Sequence, residues 1–531
     1  MPRTMSEETQ LSGEAKRVTR AAALISVGNF ASRALGLVRE MVKSYFFGAG
    51  GAVSAFDVAS QVPTMFYDQL VGGMLSSALV PVFSDYAHLS DQEELWSLLN
   101  FLLSFLALFL GGFLLLVEIG APWIAKALGV GLESAYLTQA ISMIRITAPA
   151  ILFLNVSGIL SGALYALQRF NRPAFTPAIS NATRVLVVIL LGQSWIDVHS
   201  LALGLLFASI AQVAFQWSDL RELPLRWRSP FPLHPALITI GQLYLPIGLG
   251  LLVDQLAVAL SFNLASRTGP SGIAWMKYAA TLIQLPLGLV VTAVSVAILP
   301  TLSRYATNAD DEAFRATLAR GLRLVLVLVL PTAVGLLVLA EPVVALLFQR
   351  GEFMPADTLA TAQALRFSVL GLVFAALDQP LIFAFYARKD TWTPALVGVA
   401  TVMLYVGMAL LPTLFAPPQL WLLILANSLK LTAHALLMLY LFRRKIGRLR
   451  PYNVGHTALL ALAGAVLMAL PTAGMLMWTR NLVYPGAMGY AIRVRLASST
   501  GGVVYLLFLR WMDVEEIQLL RDLLRRKPAA D

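Results

Sequence analysis

The chain has 531 residues, of which 58% are hydrophobic and 13% are charged, and its formal net charge is +10. A soluble chain carries about a quarter charged residues, so this composition indicates an integral membrane protein. The lack of cysteine excludes disulfides, thiolate metal sites and a cysteine nucleophile. The 5 histidines have no metal-ligand spacing and are predicted to lie in loops or at helix ends.

Long apolar segments recur along the whole chain, and each is long enough to cross a hydrocarbon core of roughly 30 Å. They lack the two-residue alternation of barrel strands, so they are predicted to be helices. The predicted fold class is an all-α integral membrane protein with about fourteen transmembrane helices. In chain order, the predicted helices cover residues 20–47, 53–83, 96–119, 138–167, 174–192, 199–217, 237–265, 271–303, 318–340, 358–386, 393–412, 418–442, 455–478 and 487–511.

Lysines and arginines collect in the short loops on one side of these predicted spans. Lys16 and Arg20 precede or begin helix 1, and the basic group Arg443–Lys445 follows helix 12. By the positive-inside rule, both termini are predicted to be cytoplasmic. Residues 1–19 would then be a cytoplasmic tail and residues 513–531 an amphipathic cytoplasmic tail. The positive charge is therefore interpreted as a topology signal, and no nucleic-acid partner is expected.

Helix 1 contains charged residues where a membrane-spanning helix usually has none. On a helical wheel Arg33, Arg39, Glu40 and Lys43 share one arc, with Gly36 in the middle of it. Charges at membrane depth cost several kcal/mol unless they face protein or water. We therefore expect this face to line an internal polar cavity, with Gly36 as a hinge or gate position.

The chain repeats itself at a spacing of about 220 residues. Val80–Ala87 corresponds to Leu299–Ala306, and further matches follow in the same order. Two six-helix lobes of the same orientation are therefore predicted, with the substrate between them. The predicted parts are an N-terminal lobe of helices 1–6 (residues 20–222), a cytoplasmic linker (223–236), a C-terminal lobe of helices 7–12 (237–445) and two extra helices (446–512).

Helix 2 carries a polar stripe in which Asp57, Gln61 and Asp68 lie on one face together with Thr64. The repeat relates Asp57 to Lys277 in helix 8, which begins a second polar stripe. Together with helix 1, these stripes predict a substrate cavity. Its candidate binding residues are Arg33, Arg39, Glu40, Asp57, Gln61, Asp68 and Lys277.

Helix 7 contains Asp254 as an isolated carboxylate within an apolar run. Such a carboxylate can bind Na⁺ or a proton and couple transport to a gradient, so Asp254 is the candidate coupling site. Pro63, Gly72, Gly73 and Pro286 interrupt helices 2 and 8 and are predicted hinge or gate positions. Ordinary packing of membrane helices is the alternative for these glycines and prolines. Apart from a coupling ion, no cofactor is predicted.

The charged residues also have structural interpretations. In this interpretation, the long charged side chains of helix 1 extend along the helix, so that their charged groups reach the membrane surface. Asp57 and Asp68 would neutralise the helix 1 arginines and have no transport role. The residues expected near helix ends in this interpretation are Arg145, Arg184, Arg366 and Lys430.

Several motifs occur in order along nearly the whole chain, namely Ser32–Glu40, Phe47–Gly50, Gly73–Pro81, Leu285–Gly288, Leu299–Ser303, Leu347–Gly351 and Phe385–Thr391. In these motifs the chain resembles the MurJ (MviN) family of lipid II flippases, within the multidrug/oligosaccharidyl-lipid/polysaccharide (MOP) exporter superfamily. The resemblance assigns Arg33, Arg39 and Glu40 to family positions. It places Asp254 where some members have an acid proposed to bind Na⁺.

The resemblance implies a transporter of the bacterial cytoplasmic membrane rather than an enzyme. Such a protein carries lipid II, the undecaprenyl-pyrophosphate-linked disaccharide-pentapeptide, from the inner to the outer leaflet by alternating access. An ion gradient or the membrane potential would supply the energy, because the sequence has no phosphate-binding GxxxxGK[ST] motif. Expected partners are lipid II, membrane lipids and cell-wall synthesis or division proteins, and the chain is expected to act as a monomer.

The chain departs from the family pattern at two places. The family usually has a cavity arginine in helix 2, where this chain has Tyr67 and Asp68. A second arginine usually follows a Tyr-Ala pair in helix 8, where Ala280 follows here and Lys277 is a candidate substitute. A flippase for another polyprenyl-pyrophosphate-linked glycan is therefore an alternative. A cation-coupled multidrug exporter and a non-transporting membrane scaffold are further alternatives.

Overall fold

The computed structural model describes residues 5–72, 78–89, 92–194, 196–221, 234–480 and 486–517. Every secondary-structure element within these ranges is helical, as the sequence predicts. The predicted hinge residue Gly73, most of the predicted linker 223–236 and most of the tail 513–531 lie outside the described residues.

The chain divides into two compact units. Unit 1 comprises residues 1–46 and 51–259, and unit 2 comprises residues 47–50 and 260–531. The division falls inside a long helix, whereas the predicted lobes divide at residues 223–236, so the repeat boundary itself stays a prediction.

The helices of unit 1 are α1 (Met5–Phe47), α2 (Gly51–Tyr67), α3 (Val80–Leu89), α4 (Gln92–Leu128), α5 (Ser134–Thr147), α6 (Ala150–Ala166), α7 (Asn171–Leu191), α8 (His199–Trp217) and most of α9 (Pro235–Ser266). Those of unit 2 are the end of α9, α10 (Gly272–Pro286), α11 (Thr292–Thr307), α12 (Asp311–Val338), α13 (Ala340–Phe348), α14 (Pro355–Ala387), α15 (Trp392–Leu410), α16 (Leu420–Lys445), α17 (Val454–Arg480) and α18 (Gly486–Trp511).

The structure supports most of the predicted membrane-spanning helices. Among the described residues, 11 helices are long and apolar enough to span a membrane, or 12 if α5 and α6, which meet at a 41° bend, form one span. The chain is thus a multi-pass membrane protein, but about fourteen spans are not confirmed. Helix α1 with its charged face and helix α2, which ends after 17 residues, are not among them.

Each unit has its own apolar core. In unit 1, helices α3, α4 and α6 bury Phe83, Leu98 and Leu160 against one another. In unit 2, Phe314, Phe385 and Phe442 form part of a core between α12, α14 and α16, and α17 and α18 pack against α12. The two helices beyond the predicted repeat therefore belong to unit 2.

Two π-helical segments, Asp68–Gly72 and Leu287–Val291, interrupt the regular helical hydrogen bonding. Pro63 lies inside α2 shortly before the first segment, and Pro286 ends α10 directly before the second. Of the predicted hinge positions, Gly72 lies in irregular backbone and Pro286 adjoins it, whereas Pro63 and Gly36 lie in regular α-helix. Movement at these positions stays a prediction.

Candidate functional site

The charged residues of α1 are joined by a chain of ion pairs within unit 1. The ammonium Nζ of Lys43 lies 2.7 Å from Glu40 Oε2 and 3.3 Å from Asp57 Oδ1 on α2. All three side chains are buried. The structure therefore places Asp57 as a counter-ion of Lys43, whereas the structural interpretation had it neutralise the helix 1 arginines.

Arg39 lies at the solvent-accessible end of this series of ion pairs. Its Nη2 and Nε atoms donate to Glu40 Oε1 at 2.7 and 3.1 Å, and its Nη1 atom donates to Asn181 Oδ1 on α7 at 2.8 Å. Asn181 Nδ2 in turn donates to the carbonyl of Ser32 at 3.0 Å, which fixes the amide between the two helices. The Arg39 side chain is 31% exposed, so its guanidinium is oriented by protein and still reachable from outside.

Arg184 brings a second guanidinium to the same place. It follows Asn181 by about one turn of α7, and Arg39 is close enough to repel it electrostatically. Its Nε atom is buried and has no hydrogen-bond partner within the described part of the chain. Because the cations Arg39, Lys43 and Arg184 outnumber the carboxylates Glu40 and Asp57, the cluster keeps a net positive charge. We call these residues, with Asn181, the unit 1 cluster.

The other candidate residues of unit 1 lie on the same helices. Arg33 is partly buried on α1, about 9 Å along the helix axis from Arg39. Gly36 lies next to Asn181, 3.5 Å from the amide nitrogen as measured from an added Cβ. On α2, Gln61 is buried one turn beyond Asp57, and Asp68 is partly buried in the π-helical segment.

Lys277 lies in unit 2, on α10. Its ammonium is 5.1 Å from the ring centroid of Phe262, a cation–π contact. Its carbonyl accepts a hydrogen bond from Thr281 at 3.0 Å. The structure thus gives Lys277 an aromatic neighbour, and its predicted role in substrate binding stays a prediction.

Asp254, the predicted coupling site, is exposed on α9. No group of three or more His, Cys, Asp or Glu residues that could hold a metal ion occurs among the described residues. The structure therefore supplies no set of further acidic ligands around Asp254, and its role in coupling stays a prediction.

The remaining basic residues separate into different environments. Arg145 is mostly exposed, with Glu118 Oε2 at 4.0 Å, and Arg366 is exposed on α14. Arg184 and Lys430, by contrast, lie within membrane-spanning helices, where Arg184 joins the unit 1 cluster and Lys430 lies 5.8 Å from the ring centroid of Tyr405. The expectation of helix-end positions is wrong for these two.

Sequence reasoning missed two functional candidates, Asn181 and a partly buried pair of Asp378 and His434. His434 was expected in a loop or at a helix end, but it lies in the middle of α16, and Nδ1 of its ring is 2.8 Å from Asp378 Oδ1. The available signal was a polar residue inside an apolar segment, as it was for Asp254. That signal does not reveal which partner a neighbouring helix supplies.

Comparison with known proteins identifies relatives along most of the chain. A family model described as "Lipid II flippase MurJ" matches residues 43–494. The "Lipid II flippase MurJ" of Burkholderia cenocepacia is 29% identical over 391 residues, which cover 72% of this chain and 76% of the relative. The "Probable lipid II flippase MurJ" of Rhizobium meliloti is 30% identical over 404 residues, which cover 74% of each chain.

Solved structures show the same fold. A lipid II flippase MurJ in an inward closed conformation matches with a TM-score of 0.77 at 23% identity, covering 95% of this chain and 100% of that one. An inward-facing multidrug resistance MATE family transporter of the MOP superfamily matches with a TM-score of 0.67 at 15% identity, covering 81% of this chain and 99% of that one. At these identities the similarity concerns the fold.

Proposed function

Because this chain belongs to the MurJ family of lipid II flippases, which are transporters and not enzymes, we propose that it moves lipid II across the cytoplasmic membrane. The direction would be from the inner to the outer leaflet, by alternating access between two lobes. The polyprenyl tail stays in the bilayer, so only the pyrophosphate and the sugar-peptide headgroup need a polar path.

The unit 1 cluster is the observation that carries this proposal. A pyrophosphate offers several anionic oxygens, and guanidinium groups bind such oxygens by charge-assisted, often bidentate hydrogen bonds. Arg39 is held by Glu40 and Asn181, while the buried Nε of Arg184 has no partner in the described part of the chain. A bound pyrophosphate would supply the missing acceptor and the missing negative charge together.

In the mechanism we propose, one group of residues positions the helices and another group binds the headgroup. Lys43, Glu40 and Asp57 tie α1 to α2 and fix the helix that presents Arg39. Arg33, Arg39 and Arg184 supply the positive charge for the headgroup within unit 1. An ion gradient or the membrane potential, acting through a site such as Asp254, would supply the energy.

The chain would work as a monomer with both termini in the cytoplasm, next to cell-wall synthesis or division proteins.

A flippase for another polyprenyl-pyrophosphate-linked glycan is the second candidate. Tyr67 and Asp68 occupy the region of α2 where the family resemblance calls for an arginine, so the charge in unit 1 depends on α1 and α7. The pyrophosphate is common to both substrates. The two candidates therefore differ in the glycan they accept and share the arginine requirement. A multidrug exporter for cations is disfavoured by the net positive charge of the unit 1 cluster.

The proposal is tested by rescue of a bacterial strain that lacks its own lipid II flippase. The wild-type chain should restore growth and the appearance of lipid II in the outer leaflet. Arg39→Ala and Arg184→Gln should each lower the flipping rate about tenfold or more, since each removes a charge-assisted hydrogen bond of roughly 1.5–3 kcal/mol. Arg145→Ala is the matched control, because Arg145 is exposed and far along the chain from the cluster.

Two outcomes would contradict this. If the wild-type chain is stably expressed in the membrane but fails to rescue, while it restores a strain deficient in flipping another polyprenyl-linked glycan, the second candidate is correct. If Arg39→Ala and Arg184→Gln rescue as well as Arg145→Ala, the cluster does not bind the pyrophosphate.

A further inference from the structure

Unit 2 contains a largely buried carboxylate–imidazole pair that the proposed transport mechanism does not use. His434 on α16 and Asp378 on α14 are joined at 2.8 Å between Nδ1 and Oδ1, and each side chain is 14% exposed. Both helices are apolar and long enough to span the membrane. An ionisable residue at membrane depth is costly, and its presence there usually indicates a function.

The position of the pair along its helices places it deep in the membrane. Asp378 precedes the end of α14 by about 14 Å and His434 precedes the end of α16 by about 17 Å, at 1.5 Å per residue. These two ends lie together, since Lys445 Nζ at the end of α16 is 2.9 Å from Asp390 Oδ2 just after α14. Because the hydrocarbon core is roughly 30 Å thick, the pair lies well inside the two membrane-spanning helices and not at their ends.

The two helices that hold the pair are packed backbone to backbone. A Cβ added at Gly371 of α14 would be 2.8 Å from Ser428 Cα of α16, so only glycine permits this approach. The Ser428 hydroxyl also donates to the carbonyl of Phe367 at 2.7 Å. Asp378 and His434 lie about two turns further along each helix. A change in their charge therefore acts directly on a tight helix contact.

The charged and titratable neighbours are few among the described residues. Tyr386 on α14 is within electrostatic reach of Asp378, and Lys430 precedes His434 by one turn of α16. From the packed elements, α15 presents Gly398 and Tyr405, and α11 presents Thr292, which contacts the uncharged Gln379. Of the three arginines of α12, Arg323 pairs with Glu516, Arg315 reaches the carbonyl of Ile446, and Arg320 is exposed.

We propose that Asp378 and His434 form a proton-binding site inside unit 2. With Nδ1–H donating to the carboxylate, the pair is neutral overall when Nε2 also carries a proton. Release of the Nε2 proton leaves a neutral imidazole and one uncompensated carboxylate charge in the membrane interior. Nε2 faces Gly398, and an added Cβ there would be 3.9 Å away, so no side chain from that position covers the exchanging atom.

The chemistry of the pair favours a proton over a metal cation. Hard cations require several oxygen ligands, and this site offers one carboxylate and an imidazole. The ammonium of Lys430 one turn away also repels a metal ion. A proton needs only the imidazole nitrogen. Coupling of this proton to lipid movement rests on the proposed function, whereas proton binding itself does not.

The site is tested on the purified full chain in detergent without lipid substrate. Between about pH 5 and pH 9 the unfolding temperature of the wild type should change by roughly 2 °C or more as the pair releases its proton. His434→Gln and Asp378→Asn should abolish that change. His456→Gln, which removes an exposed histidine of α17, should keep it. NMR of ¹⁵N-labelled histidine should show a buried imidazole that titrates and is missing in His434→Gln.

The outcomes separate the two proposals. The proton site is overturned if the unfolding temperature of the wild type is independent of pH. It is also overturned if the unfolding temperature of His434→Gln depends on pH as strongly as that of the wild type. A shift in unfolding temperature that follows Na⁺ in place of choline at constant pH, and that is lost in His434→Gln, also overturns it. Because no lipid is present, a failed flippase rescue would leave this result intact. If both proposals hold, His434→Gln should rescue growth poorly and with less dependence on external pH.

Discussion

At the scale of single residues, Lys43 is the centre of the buried charges of unit 1. It contacts two carboxylates from two helices, and all three side chains are removed from solvent. A buried ion pair adds little net stability compared with an apolar replacement, but removal of one partner leaves an uncompensated charge. Lys43 therefore decides whether α1 and α2 stay together, and Arg39 is oriented as a consequence.

Lys43→Met should lower the free energy of unfolding by about 3–5 kcal/mol, since it leaves Asp57 buried without its cation. The double variant Lys43→Met/Asp57→Asn should recover part of that loss, because Glu40 keeps its contact with Arg39. Thermal unfolding in detergent measures both. Arg145→Ala, at an exposed pair, should cost less than about 1 kcal/mol. Strictly additive losses in the double variant would show that Lys43 and Asp57 do not interact.

At the scale of elements, the loop between α14 and α15 depends on Asp390. Its Oδ1 atom accepts from the backbone N–H of Thr393 at 2.9 Å, and its Oδ2 atom accepts from Lys445 Nζ at 2.9 Å. Burial would raise the pKa of the Asp390 carboxyl, but the hydrogen bonds from Thr393 and Lys445 outweigh it and hold that pKa below its usual range. The ionised carboxylate thus ties the start of α15 to the end of α16.

Because the folded-state pKa of Asp390 is lowered, its contribution to stability is fully present above the unfolded-state pKa of about 4. The contribution is lost as the pH falls through the lower folded-state pKa. The unfolding temperature of the wild type should therefore fall more steeply in acid than that of Asp390→Asn. Asp197→Asn, at an exposed aspartate, is the control and should follow the wild type. If the unfolding temperatures of the wild type and Asp390→Asn fall equally as the pH decreases, this role of Asp390 is contradicted.

At the scale of the whole molecule, the distribution of basic residues predicts the orientation in the membrane. The chain contains no cysteine, so a single cysteine can be introduced as a reporter without background. Lys126 is exposed in a predicted outer loop, and Arg221 is exposed in a predicted cytoplasmic loop.

In intact cells, a membrane-impermeant maleimide should label Lys126→Cys and leave Arg221→Cys unlabelled. After permeabilisation both should react, which controls for accessibility within the folded protein. The reverse pattern would invert the predicted topology and place both termini outside the cytoplasm.

The sequence by itself determined the helical class, the approximate positions of the helices and the family. These follow from local causes: backbone groups in lipid must be bonded within the helix, so apolar length predicts a span. The polar face of α1 was also predictable, because the residues that share a helix face are set by the helical period. The predicted count of about fourteen spans is not confirmed, because α1 with its charges and α2 with 17 residues are not among the 11 or 12 candidate spans of the described residues.

Only the tertiary structure decided which charges meet. Asp57 pairs with Lys43, Arg39 is held by Asn181, and His434 contacts Asp378 on a helix 56 residues away in the chain. These contacts depend on how each helix is rotated about its axis and how closely it approaches its neighbours. Both are set by packing between distant segments, such as Gly371 against Ser428, and no local pattern contains that information.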